Sequence, residues 1–308
     1  MVRLSSDSIP QLILAPMAAV NNFPFRLLCQ KYGADLTYTQ MYLVEDLLEI
    51  SLEKDLRTYL GLTDKDVLQL IGSVNSPWED VIKIVSKFVD RVDINLGCPE
   101  SKMLEKRAGS YLLNQSSQII TIIDKIKSVS DIKISAKIRS GWKLENYLEI
   151  SKLLEEKGVC CIAIHPRLKT QHYTGKADWS NIKKLKEELK IPVIGNGDVS
   201  KPGHAKSMFE QTKCDGIMIG RAVMKNPGLF EEIKILFRDG KNGAPIPKTK
   251  QMSDLISFYS KCGLESDVDF LKDQLSWLSS CEHNSTFLKK KIRSLNSFSD
   301  LKRFVNSI

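Results

Sequence analysis

The stretch "DINLGCPESKMLEKRAGSYLL", Asp93 to Leu113, places a thiol, Cys98, at the end of an apolar run, behind Asn95 and Gly97 and ahead of Pro99. A free thiol has a pKa of about 8.5 and is mostly protonated at neutral pH, so a cysteine held at a strand end can donate a proton to a bound substrate. The bland alternative is a buried, inert structural cysteine. Two other stretches carry the chemistry of phosphate binding. "IPVIGNGDVS" (191–200) sets Gly195, Asn196, Gly197 and Asp198 behind one apolar run, and "CDGIMIGRAVMKNP" (214–227) sets Gly220 and Arg221 behind the next. Glycines let main-chain N–H groups approach a phosphate, a helix N-terminus can assist, and Arg221 adds charge-assisted hydrogen bonds. The GxxxxGK[ST] pattern is absent, so this is not a P-loop.

A phosphate site does not name a cofactor, but three further residues suit a flavin ring. Lys137, at the end of "IKISAKI" (132–138), can put positive charge beside the pyrimidine edge of an isoalloxazine, where reduction builds negative charge. Gln69 can hydrogen-bond the carbonyl and N–H edge of that ring. His165 can reach the ring or its ribityl–phosphate chain. Each has an ordinary reading as well: a rim lysine, a glutamine satisfying main-chain groups, a core histidine.

These residues need a scaffold that brings strand ends together. From Leu12 to about Ile219 the chain repeats a short β-branched run, a turn and an amphipathic stretch such as "PWEDVIKIVSKFVD" (77–90). The runs are "LILA" (12–15), "LTYT" (36–39), "VLQLIG" (67–72), "VDIN" (92–95), "IKISAKI" (132–138), "CIAIH" (161–165), "PVIGN" (192–196) and "GIMIG" (216–220). Such alternation implies parallel pairing through right-handed crossovers, and eight units suit a (β/α)8 TIM barrel better than an open sheet. In a barrel, chemistry gathers just after the strands, where all the residues above fall. "FRDGKNGAPIP" (237–247) reads as a linker. Beyond it, "KQMSDLISFYSKCG", "VDFLKDQLSWLSS" and "STFLKKKIRSLNSFSDLKRFVNSI" read as amphipathic helices. The expected domains are a catalytic barrel over 1–240 and a small all-helical domain over 241–308.

With 308 residues, 42% hydrophobic and 27% charged, the chain can bury a full core without staples. Its seven cysteines show no CxxC pairs, so neither a disulfide framework nor a zinc site is expected. No apolar run approaches the ~20 residues of a bilayer span, and no signal-like segment opens the chain; no membrane, a cytoplasmic location, no metal and a monomer are the expectations. The net charge of +8 fits a polyanionic partner.

Six stretches in order, "LAPMAAVNNFPFRLLCQKYGADLTYTQM", "DINLGCP", "AKIRSGW", "IHPRLKTQHYTGKADW", "VIGNGDV" and "DGIMIGRAVMKNPGLF", together resemble the tRNA-dihydrouridine synthase family from about residue 12 to 235. The resemblance implies FMN held by Pro16, Met17, Ala18, Gln69, Lys137, His165, Asn196, Gly197, Asp198, Gly220 and Arg221. It implies Cys98 as the catalytic cysteine and Asn95 as a contact to the target uracil. It implies reduction of uridines in tRNA to dihydrouridine, with NADPH or NADH as transient reductant. The chemistry agrees: saturating C5=C6 of uracil takes a hydride at C6 and a proton at C5, the proton from an acid on the opposite face. A uridine entering a barrel mouth must leave its stack. Basic residues would then bind RNA phosphates: Lys102, Lys106 and Arg107; Arg139; Arg167, Lys169 and Lys176; and Lys289, Lys290, Lys291 and Arg293 on the tail, with Tyr173 as a stacking aromatic. The chain departs from the family pattern at "VNN" (20–22) for "VTD", "TQM" (39–41) for "TEM", "HPR" (165–167) for "HGR", and at Arg107, where a second glycine usually precedes the alanine. Two other readings stand beside this one: an FMN barrel acting on a free pyrimidine, as dihydroorotate dehydrogenases do, and a non-catalytic tRNA-binding protein.

Overall fold

The β-branched runs become β1 (Gln11–Leu14), β2 (Leu36–Leu43), β3 (Asp66–Ile71), β4 (Arg91–Leu96), β5 (Lys133–Gly141), β6 (Cys161–Leu168), β7 (Val193–Asn196) and β8 (Gly216–Ile219) in a computed structural model that describes residues 9–281 and 284–308. All eight pair in parallel and in sequence order, and β8 closes on β1, giving a (β/α)8 barrel. Alternation along each strand sorts the core. Leu12 and Leu14 pack outward in the main core against the surrounding helices, whereas Ile13 and Ala15 point inward with Tyr38, Val67, Cys161, Ala163, Ile194 and Met218. Burying each large aliphatic side chain contributes about 1.5–3 kcal/mol, which is why both faces of the strands are apolar.

β2, β5 and β6 run further than their apolar runs suggest. Arg139 stays in the ladder opposite His165, while Gln40 and Arg167 fall where the register shifts, between Tyr38 and Met41 and between Arg139 and Gly141. Strands β3 to β5 place polar residues inward at matched heights. Gln69 pairs with Asp93, Asp93 with Ser135, and Asn95 with Lys137, so one layer of the barrel interior carries a glutamine, a carboxylate and a hydroxyl side by side.

Beyond Gly240, which ends the helix Leu229–Asp239 in a left-handed conformation, four helices follow: Lys248–Lys261, Val268–Leu278, Ser285–Ser294 and Phe298–Asn306. The last two replace the single long helix that amphipathicity predicts. Ser297 interrupts it, its hydroxyl accepting from the Asp300 N–H as an N-cap. The helices share one hydrophobic core with the barrel, through Met252, Leu255, Tyr259, Leu271, Leu275 and Leu301. A buried polar junction adds specificity: Asn22 Nδ2 donates to Tyr259 Oη (2.8 Å), which donates to Gln274 Oε1 (2.9 Å), while Gln274 Nε2 donates to Val20 O (3.0 Å). No helix among the described residues is long and apolar enough to cross a membrane.

Candidate active site

The ends of β1, β5, β6, β7 and β8 enclose a cavity of about 880 Å³, within the range of cofactor sites. Its wall includes Pro16, Met17, Lys137, His165, Tyr173, Asn196, Gly197, Asp198, Gly220 and Arg221. Ala18, which sequence resemblance placed there, is exposed and outside the wall; Ala15 lines it instead. Lys225 and Asn226, at the end of the stretch 214–227, and Glu232, Pro245 and Lys248, which no motif announced, extend it toward the helical tail. The helix after Gly220, Arg221–Lys225, is a little over one turn, so the loops offer main-chain N–H groups and cations rather than a macrodipole.

Charge in the cavity is set by burial. Lys137 has no hydrogen-bond or ion-pair partner among the described residues, and its pKa is lowered to about 8 by burial and by Arg139. The Asp93 carboxylate opposes that shift in part. Burial and the cations Lys137, Arg139, Arg167 and Arg221 push His165 down to about 2, so its ring is neutral. Arg167 Nη1 lies 2.9 Å from His165 Nε2. A guanidinium only donates, so Nε2 accepts and the ring proton sits on Nδ1.

Two of the arginines expected to contact RNA are buried. Arg167 and Arg139 are 2% and 3% exposed and act as interior struts, because main-chain carbonyls and Asp198 lie within reach of their guanidiniums. Arg167 makes paired bonds to Asp198 (2.7 and 2.8 Å) and donates to Gly175 O (2.7 Å). Asp198 also accepts from Ala177 N–H (2.7 Å), so one ion pair ties the β6 loop to the β7 loop. Arg139 donates to Gly97 O (2.9 Å), Leu168 O (3.2 Å) and His172 O (2.7 Å), bracing the turn before Cys98 against the β6 extension. Tyr173, 52% exposed, has the Arg221 and Arg139 guanidiniums 4.8 and 5.4 Å from its ring centre. Lys169 stacks on Trp142 at 4.5 Å. On the tail, Lys290 and Lys291 are exposed, Lys289 is half-buried, and Arg293 pairs with Asp273 at 3.1 Å.

Cys98, Asn95 and Gln69 lie outside the cavity wall, on the β3–β4 side of the mouth. The thiol packs with Ile71 and Ala108, flanked by Met41, Leu43 and Met103. Burial raises its pKa above 9.0, with partial opposition from the Glu100 N–H, Arg139 and Lys137, so the thiol is protonated at neutral pH. Asn95 and Gln69 join it to the barrel interior. Asn95 Oδ1 accepts from Cys98 N–H (2.8 Å), Asn95 Nδ2 donates to Gln69 Oε1 (2.9 Å), and Gln69 Nε2 donates to Asp93 Oδ2 (2.8 Å). Asp93 and Ser135 escaped motif reading, although their period-two spacing with Asn95 and Lys137 marks them as facing inward.

Of the five non-glycine residues with positive φ among the described residues, Lys213 ends the helix Pro202–Thr212, and the other four lie at this mouth: Ala19, Arg107, His172 and Asp198, with φ of 53°, 57°, 48° and 57°. Each costs about 1 kcal/mol and marks loops shaped for something other than stability. Beside Arg107, Gly109 has φ 62°, and a Cβ there would stand 2.9 Å from Cys98 O. Gly109→Ala is therefore expected to cost about 2–3 kcal/mol in thermal or urea unfolding and to displace the Cys98 turn.

Residues 13–305 match the family profile described as "Dihydrouridine synthase (Dus)". The chain is 33% identical over 288 residues to tRNA-dihydrouridine synthase B of Pseudomonas aeruginosa, covering 90% of this chain and 86% of that protein. It is 35% identical over 240 residues to tRNA-dihydrouridine synthase B of Vibrio parahaemolyticus, covering 77% and 74%. Among solved structures, FabK from Thermotoga maritima superposes with a TM-score of 0.46 at 15% identity over 79% of this chain and 64% of that one, too distant to bear on function.

Proposed function

This chain belongs to the dihydrouridine synthase family, and we propose that it reduces the C5=C6 bond of uridines in tRNA to dihydrouridine, with FMN in the cavity and Cys98 as proton donor. The observation that carries the cofactor assignment is Lys137, a cation in the cavity wall with no hydrogen-bond acceptor among the described residues, beside a neutral His165 and loops bearing Gly197, Gly220 and Arg221. That donor set suits a planar, electron-rich ring at one end and a phosphate at the other. Arg221, the Gly197–Asp198 turn and Gly220 would hold the phosphate, and Met17, Lys137 and His165 Nδ1–H would face the ring. FMN, when bound, supplies the hydride chemistry and is recharged by NADPH or NADH.

The chain's own residues complete the addition. Cys98 keeps its proton because burial disfavours the thiolate, and it gives that proton to C5 as the hydride reaches C6. Cys98 is buried in one apolar cluster with Ile71 and Ala108, against which Met103 packs. Asn95 keeps one amide hydrogen that meets only Met41 Sδ at 3.8 Å, and this is the hydrogen a uracil carbonyl can accept. Exposed Lys102, Lys106, Arg107 and Lys176 near the mouth, with Lys290 and Lys291 on the helical region 241–308, would neutralise tRNA phosphates.

The test is to photoreduce the yellow holoenzyme without oxygen and offer unmodified tRNA, uridine or uracil as the oxidant. Flavin reoxidation with dihydrouridine formation is expected on tRNA alone, weakening steeply as salt is raised. Equal turnover on free uracil contradicts the proposal and favours a small-molecule pyrimidine dehydrogenase. A colourless protein that binds tRNA favours a pure binder.

A further inference from the structure

We propose that Asp93 is a positioning residue for this reaction: an acceptor-only carboxylate inside the barrel that, through Gln69 and Asn95, fixes the turn carrying Cys98. The inference rests on the reading of Cys98 as proton donor. An ionised carboxylate has no proton to give, so the Gln69 amide must turn its NH₂ toward Asp93 Oδ2, and does so at 2.8 Å. That leaves Gln69 Oε1 facing Asn95, which must answer with its own NH₂ (2.9 Å). Asn95 Oδ1 is thereby aimed at the N–H groups of Gly97 (3.0 Å) and Cys98 (2.8 Å). Two amides, each able to flip in isolation, are locked in sequence by one charge at the far end. Ser135 Oγ donates to the other carboxylate oxygen at 2.7 Å and holds Asp93 in place.

The charge is not there for stability. Burial raises the Asp93 pKa to about 6, against the pull of Gln69, Ser135, Arg91 and Lys137. A carboxyl raised above its unfolded value costs the fold stability as pH rises through that interval, so keeping the ion at neutral pH calls for another reason. The groups facing it are Arg91 on its own strand, Tyr38 on β2, Lys137 on β5 and Cys161 on β6. Protonated Asp93 becomes a donor. Gln69 can then reverse, Asn95 follows, and its NH₂ meets the Gly97 and Cys98 N–H groups, donor against donor.

Two measurements on the holoenzyme test this, one of them independent of tRNA. Hydrogen exchange at the Gly97 and Cys98 amides, corrected for intrinsic rates, is followed between about pH 5 and 8. Protection should fall about tenfold as pH drops through about 6, and single-turnover dihydrouridine formation should fall with it while tRNA affinity stays put. In Asp93→Asn the side chain, like a protonated carboxyl, can offer Gln69 a donor as well as an acceptor, so Gln69 is no longer held in one orientation. The variant should therefore show the acid-form protection and rate, about tenfold below neutral wild type, at every pH and lose the acid transition. A wild-type enzyme with flat protection across this range overturns the proposal, and so does an Asp93→Asn enzyme with an unchanged acid transition. Should the variant not fold, the wild-type series decides alone. A wild type that makes no dihydrouridine at any pH refutes the functional reading instead, and the exchange data still judge the relay.

Discussion

Cys98→Ala lowers the single-turnover rate of dihydrouridine formation by about 10²–10⁴-fold, the span general acids contribute, while flavin content and tRNA affinity stay close to wild type. Hydride addition at C6 leaves charge on the C4 carbonyl and C5, and without a positioned acid C5 must take its proton from water. The other buried thiols cannot substitute, since Cys29 and Cys214 lie among the helices and strands of the main core and Cys161 points into the barrel near the start of β6. Because burial raises the Cys98 pKa above 9.0, loss of the thiol proton should not slow the wild-type enzyme until well above neutral pH. Rapid-quench assays of pre-reduced enzyme with unmodified tRNA check both statements. A Cys98→Ala rate equal to wild type removes the proton-donor role.

Arg167→Met should lose about 2–4 kcal/mol of stability and most of the bound flavin. The guanidinium is 2% exposed and holds Asp198 by paired bonds, the carbonyls of Thr174 and Gly175, and His165 Nε2. Methionine fills the space but leaves Asp198 with only the Ala177 N–H and a 3.6 Å contact to Arg221. Asp198 keeps a side-chain exposure of 30%, which places the loss below that of a fully buried pair. Burial alone would raise the Asp198 pKa, but the Ala177 N–H and Arg167 hold it below 3.8. Its contribution is therefore present above that value and lost as pH falls through the lower one, a loss the variant should no longer show. Urea unfolding and flavin absorbance after gel filtration measure the two effects. An Arg167→Met enzyme with wild-type stability and colour would mean the β6–β7 loops do not depend on this ion pair.

The eight strands were legible because each is an apolar, β-branched run, whereas the closure of β8 on β1 was not, since periodicity is the same in an open sheet. The extensions of β2, β5 and β6 were not, since their ends are polar and read as loop. Arg139 and Arg167 look the same in sequence as surface cations. Only the fold reveals that carbonyls of Gly97, His172 and Gly175 converge on them. The cavity residues that follow strand ends, such as Lys137, His165 and Arg221, could be named from position alone, whereas Pro245 and Lys248 enter through the path of the linker. The packing of Cys98 with Ala108 and Met103 depends on how the "KRAGS" turn closes, with Arg107 at φ 57°. Spacing carries no trace of that closure.

The central claim is that this chain makes dihydrouridine in tRNA at the Cys98 side of the barrel mouth. It is tested most directly by mapping dihydrouridine in tRNA from a strain lacking this protein, complemented with wild type or with Cys98→Ala. One or more dihydrouridine positions should be absent in the deletion, restored by wild type and not by the variant. An unchanged dihydrouridine complement in the deletion strain contradicts the account.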